Sequence, residues 1–302
     1  MRGRLSVVAA VLSVGAVIAQ QQPPPAPAGR GQPTTSPAAT PATSVQLLQG
    51  PPLRVFIHAG LKTHAEGQHD YPQFLADWSK LLTNRGAVVD GGLHFPSARE
   101  LANVDVMIIY KGDAGYLSIE DRATLDNYLR RGGGVVSFHD ALCGPDPEHF
   151  ASVVGGAKKH GETNFTLEAD VPYTIVDGTH PIMQGMSDFT IKDEAFFNMT
   201  WSKAPEIHVL ATATMAPTPS AKGHHGEVVP QIWTYEKTLV PGPASQPFRA
   251  FVWMQGHNYY NFQNPTVQAM LLRGISWAGK RPADALATER PQRRGGRGRG
   301  TG

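Results

Sequence analysis

Between residues 53 and 280 the apolar positions alternate between two rhythms. Compact apolar runs occur at residues 53–59 (LRVFIHA), 105–111 (DVMIIYK) and 135–139 (VVSFH). Short runs with little polar alternation fit parallel strands buried on both faces. Between them the spacing opens to threes and fours. Phe74, Leu75, Trp78, Leu81 and Leu82 place a helix over 72–84, with Gly86 as its stop. Residues 87–90 supply a short strand. Ser118 opens the next helix, with Asp121 three residues on in a near match to a capping box. Leu125, Tyr128 and Leu129 form its apolar face, and the glycines at 132–134 end it. This alternation predicts an α/β protein with a doubly wound, mainly parallel sheet and right-handed crossovers. After residue 155 helices become rare. Residues 163–169, 173–176, 208–213, 229–235 and 250–254 read as additional, partly antiparallel strands extending or flanking the same sheet. A closing helix spans 265–278, with Pro265 suited to its first turn and Val267, Met270, Leu271, Ile275 and Trp277 facing the core.

The ends follow neither rhythm. Residues 1–19 combine Arg2 and Arg4 with a small-residue apolar run and a cleavage-like Val-Ile-Ala before Gln20, the pattern of a secretory signal. That run is too short to span a bilayer, and no later segment is apolar enough. Export to the periplasm or the medium is therefore expected. Residues 20–52, rich in Pro, Gln, Ala, Ser and Thr, read as a disordered linker, and 281–302, ending in RRGGRGRGTG, as a disordered Arg/Gly tail. The net charge of +2 conceals a mildly acidic body: residues 53–280 hold 18 Lys+Arg against 23 Asp+Glu. That balance argues against a nucleic-acid-binding domain. The one cysteine, Cys143, cannot form an internal disulfide.

Chemistry gathers at the carboxyl ends of the strand-like runs, where open α/β sheets bind ligands. GGGVVSFHDA (132–141) delivers His139 and Asp140 there. GLKTHAEGQHDY (60–71) carries His64 and His69 in the loop after the first run, with Glu66 and Asp70 close by. DEAFF (193–197) offers Glu194 as the acid that enters a site and Asp193 as its supporting partner. WMQGHNYYNF (253–262) adds His257, Gln255 and Asn258 to position hydroxyls, and Tyr259 or Tyr260 to stack on a sugar face. His160 reaches in from a further loop. His58 reads as a satisfied core histidine, His180 as a turn residue, and His224 and His225 as exposed. Imidazoles with a carboxylate suit Zn²⁺ or a similar divalent ion; the same groups without metal can do acid–base work. No CxxC pair, HExxH helix, P-loop, GxGxxG or GxSxG element is present, so no nucleotide cofactor is indicated.

Five blocks taken in order resemble the ThuA-like family, named for trehalose utilisation: LRVFIHAGLKTHAEGQHDY, DVMIIYKGD, GGGVVSFHDA, GTHPIMQGMSDFTIKDEAFF and FRAFVWMQGHNYYNFQNPTVQAMLLRGISWA, over about residues 53–279. The resemblance implies a scaffold like that of class I glutamine amidotransferases (flavodoxin-like), with His139 at the turn where those enzymes carry a nucleophilic Cys. It implies a link to disaccharide catabolism, including 3-keto sugars. Carried over by block, it implies a site of His64, His69, His139, Glu194 and His257, with Asp193 and His160 nearby. Three functions follow: metal-assisted hydrolysis or elimination of a glycoside or 3-keto-glycoside, with His139 and Glu194 as acid–base groups; a non-catalytic carbohydrate-binding module; or thiol chemistry at Cys143. In the first two the partner is a small carbohydrate.

Overall fold

A computed structural model of the chain describes residues 51–162, 164–203, 207–242 and 246–289. The signal, nearly all of the linker and the end of the tail lie outside the described residues. In chain order the elements are β1 (Arg54–Ala59), α1 (Tyr71–Asn84), β2 (Val88–Gly92), α2 (Ala98–Leu101), β3 (Val106–Tyr110), α3 (Ile119–Arg130) and β4 (Gly134–Phe138). There follow β5 (Cys143–Gly144), α4 (Pro147–Val154), β6 (Gly156–Lys159), β7 (Ala169–Ile175), β8 (Phe189–Asp193) and β9 (Thr200–Trp201). The last are β10 (Ile207–Thr214), β11 (Val228–Lys237), β12 (Phe248–Trp253) and α5 (Pro265–Ala278).

Nine strands make one mixed sheet in the order β2-β1-β3-β4-β12-β11-β10-β7-β8. The first five are parallel, and each later neighbour pair is antiparallel. β1, β3, β4, β12 and β8 therefore all end at the same rim. The strand order departs to opposite sides of β1 and β3, which makes that rim a switch point of the kind that collects ligands.

The apolar runs are buried because both faces of the sheet are covered. Val55, Ile57, Ile108 and Val136 pack with Phe74, Trp78 and Leu82 of α1 and Met270 and Ile275 of α5. The alternate residues Phe56, Met107, Ile109 and Val135 pack with Leu125 and Leu129 of α3 and Phe150 and Val154 of α4. Successive strand residues point to opposite faces, so each run feeds both cores. Fully burying one such large side chain contributes roughly 1.5–3 kcal/mol. The Ser118–Asp121 capping box is formed.

Three expectations need correction. Residues 164–168 do not form a strand: Phe165 makes an isolated bridge to Phe196, and residue 163 lies outside the described residues. α4 falls where no helix was expected, capped by Asp146, whose side chain accepts from His149 N, and opened by Pro147. Nor does order stop at residue 280. Leu286 is buried in the first core, while Arg281 meets Asp105 and Arg273 meets Asp284. One apolar anchor flanked by charge pairs fixes this short segment.

Candidate metal centre

Three histidines from distant parts of the chain meet at the rim. His69 lies in the loop after β1, His139 directly follows β4, and His257 follows β12. His69 Nε2 is 3.0 Å from His139 Nε2 and 3.0 Å from His257 Nδ1. The ligand atoms of all three lie within 4.8 Å of one another, and the residues are buried. Glu194, just past β8, places Oε2 3.7 Å from His139 Nε2 and 3.6 Å from His257 Nδ1.

These nitrogens are held as neutral donors. Burial, reinforced by His139, pushes His69 down to about 2. Burial pushes His139 down to about 3 and also lowers His257. His139 Nδ1 lies 3.4 Å from the Met254 carbonyl, which can only accept, so Nδ1 carries the proton and Nε2 keeps its lone pair. His69 Nε2 then faces two nitrogens at 3.0 Å, and a neutral ring has at most one proton to offer them. At most one of the two approaches can therefore be a linear hydrogen bond, whereas a cation placed among the three nitrogens would satisfy all of them. The donor set fits a divalent ion, and the Met254 carbonyl is the kind of outer partner that orients a ligating imidazole. Thr63 Oγ1 plays a similar part at His69 Nδ1, 3.1 Å away.

The backbone is bent to achieve this. His69 and His139 adopt left-handed φ of 47° and 50°, and Gly256 has φ of 128° beside His257. Gly256 is required there, since a Cβ would also come within 3.1 Å of Phe262. Asp193 holds the turn. Its buried carboxylate accepts from the backbone N–H groups of Glu194 (2.8 Å), His257 (3.1 Å) and Asn258 (3.2 Å), and from Asn261 Nδ2 (2.7 Å). Burial pushes Asp193 up to about 7 against the pull of those donors. Burial, with Asp140 and Asp193 nearby, pushes Glu194 up to about 8.

The remaining expected residues fall into place around this centre. His64 lies against His69 with ring centroids 3.9 Å apart and planes tilted by 54°, but its Nδ1 turns to Thr63 and it stands outside the three-nitrogen set. His160 reaches the same cavity, paired through Nδ1 with Asp113 at 2.6 Å. Gln255, Asn258 and Tyr259, expected to meet substrate, are buried with their polar atoms engaged by the protein. Gln255 bonds Tyr173, Gln231 and the Glu194 carbonyl. Asn258 Nδ2 bonds the Lys192 carbonyl, and Tyr259 bonds Asp77. Of the aromatic rings at 253–262 only that of Tyr260 is exposed. His58 is not the satisfied core residue expected, for its Nδ1 is buried without a partner. Cys143 is buried, its thiol donates to Asp140 Oδ1 at 3.3 Å, and burial beside Asp140 pushes it well up. That is the reverse of an activated nucleophile.

Two lysines were not foreseen. Lys62 Nζ donates to the carbonyls of Thr63 (2.6 Å), His64 (3.2 Å), Ala65 (2.6 Å) and Gln68 (2.5 Å) and pairs with Asp70 at 3.2 Å. It is the hub of the loop that presents His69. Lys158 Nζ is buried 3.6 Å from Asp140 Oδ1 and 3.7 Å above the Phe196 ring, which stacks on His139. Burial would raise Asp140, but His139 and His69, once protonated in strong acid, and the Lys158 ammonium outweigh it and hold the carboxyl below its usual range.

Fold and site together define a mixed α/β protein with a three-histidine, one-carboxylate pocket at the strand ends. The family model described as ThuA, trehalose utilisation, matches residues 62–278, and the chain belongs to that family. The family's description suggests a role in carbohydrate utilisation. A ThuA-like protein from Bacteroides uniformis is similar in structure at a TM-score of 0.56 and 19% identity, over 80% of this chain and 95% of that one. A second, from Parabacteroides merdae, gives 0.58 and 17%, over 80% and 94%. At such identities the likeness shows the fold. No curated protein matches the sequence. Among the described residues no helix is long and apolar enough to cross a membrane.

Proposed function

We propose that this chain is an exported carbohydrate-processing enzyme. It holds one divalent ion, zinc by donor type, on His69, His139 and His257, and uses Glu194 as its acid–base group. The observation that carries this reading is the meeting of three buried neutral imidazole nitrogens, two pairs of them at 3.0 Å, beside a carboxyl raised to about 8. The scaffold is taken as a doubly wound, amidotransferase-like sheet whose thiol chemistry is lost. The substrate is a glycoside or 3-keto-glycoside.

When bound, the ion polarises a carbonyl or hydroxyl oxygen of the sugar. The protein does the proton work. On a 3-keto-glycoside the Glu194 carboxylate takes the proton from C2, and the electron pair becomes the enolate of the C3 ketone. Collapse of that enolate expels the glycosidic oxygen from C1, and Glu194 returns the proton to it, releasing the aglycone as an alcohol. Water then adds across the C1–C2 double bond to give the free keto sugar, a net hydrolysis. Burial makes Glu194 a stronger base than an exposed glutamate.

The test is release of p-nitrophenol from p-nitrophenyl 3-keto-glucoside. Glu194→Gln and His139→Ala, each shown folded by circular dichroism, should lower kcat/KM by at least about 100-fold. Turnover equal to the parent's in either variant contradicts the assignment. Export is tested by mass spectrometry after expression in a Gram-negative host. A mature chain starting at Gln20 is expected in the periplasm or medium; an uncleaved cytosolic chain refutes it.

A further inference from the structure

A cavity of about 430 Å³ opens beside the three-histidine centre, with Tyr71, Gly112, Asp140, Lys158 and Glu194 in its wall. The Tyr71 hydroxyl in that wall is buried and makes no hydrogen bond. The neighbouring hydroxyl, Thr63 Oγ1, contacts Nδ1 of His69 and of His64 at 3.1 Å each and makes no hydrogen bond with Tyr71. The phenol is fixed in place. Its ring packs edge-on against Tyr110 at 4.6 Å and lies 5.2 Å from the His69 ring. Opposite it stands Gly112, where a Cβ would sit 3.6 Å from the Tyr71 oxygen. The missing methyl leaves the space between Gly112 and the hydroxyl free of side-chain atoms. A buried donor without a partner is costly, and phenylalanine would fill the same space without that cost. The oxygen is explained if something that enters the cavity pairs with it.

We propose that Tyr71 is a substrate-binding residue: its hydroxyl donates a hydrogen bond to a ring oxygen substituent of the carbohydrate, next to the oxygen held at the three-histidine centre. This rests on the reading that a carbohydrate occupies this cavity. A ligand with oxygens on adjacent carbons meets both points at once, which favours vicinal diols and hydroxyketones over singly oxygenated alcohols. Gly112 acts as a specificity position, because a side chain there would occupy the space beside the donor that the ligand must reach.

The experiment uses the zinc-loaded full chain, with methyl 3-keto-α-glucoside and trehalose as probes in calorimetry. Metal content and Tm are measured on the same samples. Tyr71→Phe should keep the parent's metal stoichiometry, melt no lower than the parent, and bind the better probe about tenfold more weakly, the loss of one hydrogen bond. Gly112→Ala should weaken binding in the same direction by filling the space beside the hydroxyl. The double variant should be no weaker than Tyr71→Phe alone, since both changes remove one interaction. Unchanged affinity in Tyr71→Phe overturns the proposal and leaves the metal-centre reading standing. So does a lowered Tm, which would give the hydroxyl a structural partner. A parent that binds zinc but neither sugar overturns the carbohydrate reading and this proposal together. A parent that binds sugar without metal, and is weakened by Tyr71→Phe, upholds this proposal and removes the metal.

Discussion

Left-handed backbone at a residue with a Cβ costs roughly 1–2 kcal/mol, so it persists where something else requires it. His64, His69 and His139 all adopt it, with φ of 61°, 47° and 50°. The two that enter the three-nitrogen set need it to turn an imidazole back over the strand ends. A histidine without that requirement shows a different physics. His58, inside β1, is driven down to about 4 by burial, with Lys111 adding to the effect. Its unfolded value is about 6.5, so between pH 6.5 and 4 the unfolded chain binds a proton that the folded chain refuses. Stability therefore falls as pH drops through that window, by up to about 1.4 kcal/mol per pH unit from this residue. His58→Leu should flatten the acid side of a Tm-against-pH curve there; an unchanged slope would show that His58 is not a source of it. At this scale the histidines were legible because glycine-rich turns and strand ends mark them. The bonds that Gln255 and Tyr259 make to Gln231 and Asp77 were not legible, because those partners are remote in the sequence.

The loop between β1 and α1 depends on one side chain more than on its own turns. Lys62 gathers four backbone carbonyls around its ammonium, so the loop that carries His69 is wound on a charge. Lys62→Met should leave the two hydrophobic cores intact, with a Tm close to the parent's, yet weaken metal binding about 10–100-fold, the range seen when a ligand's outer support is removed. Metal affinity equal to the parent's would mean that the loop holds its shape without the lysine. Nothing in the sequence announces this hub, since its partners are main-chain atoms, which no residue type displays. The parallel strands were legible because burial on both faces leaves unbroken apolar runs. β8 was not, because FTIKD is half exposed and its importance lies in Asp193, which reaches back to the turn after β12. The eight-residue helix α4 was missed although Asp146-Pro147 carried its start signal, two turns being too short for the apolar spacing to repeat.

On the scale of the whole molecule, the sheet brings together groups that the chain spreads over a separation of 188 residues. β1, β4, β12 and β8 end at one rim, and each delivers one polar group of the pocket. The mixed α/β class and the family were readable from ordered blocks. The antiparallel order β11-β10-β7-β8 was not, because strand partners after residue 155 are chosen by long-range packing. The central claim is that this rim closes around a single cation. Elemental analysis of the purified, dialysed chain tests it most directly, set beside His69→Ala, His139→Ala and His257→Ala. The account predicts close to one divalent ion per parent chain and nearly none in each variant. A parent no richer in metal than its three variants would contradict it.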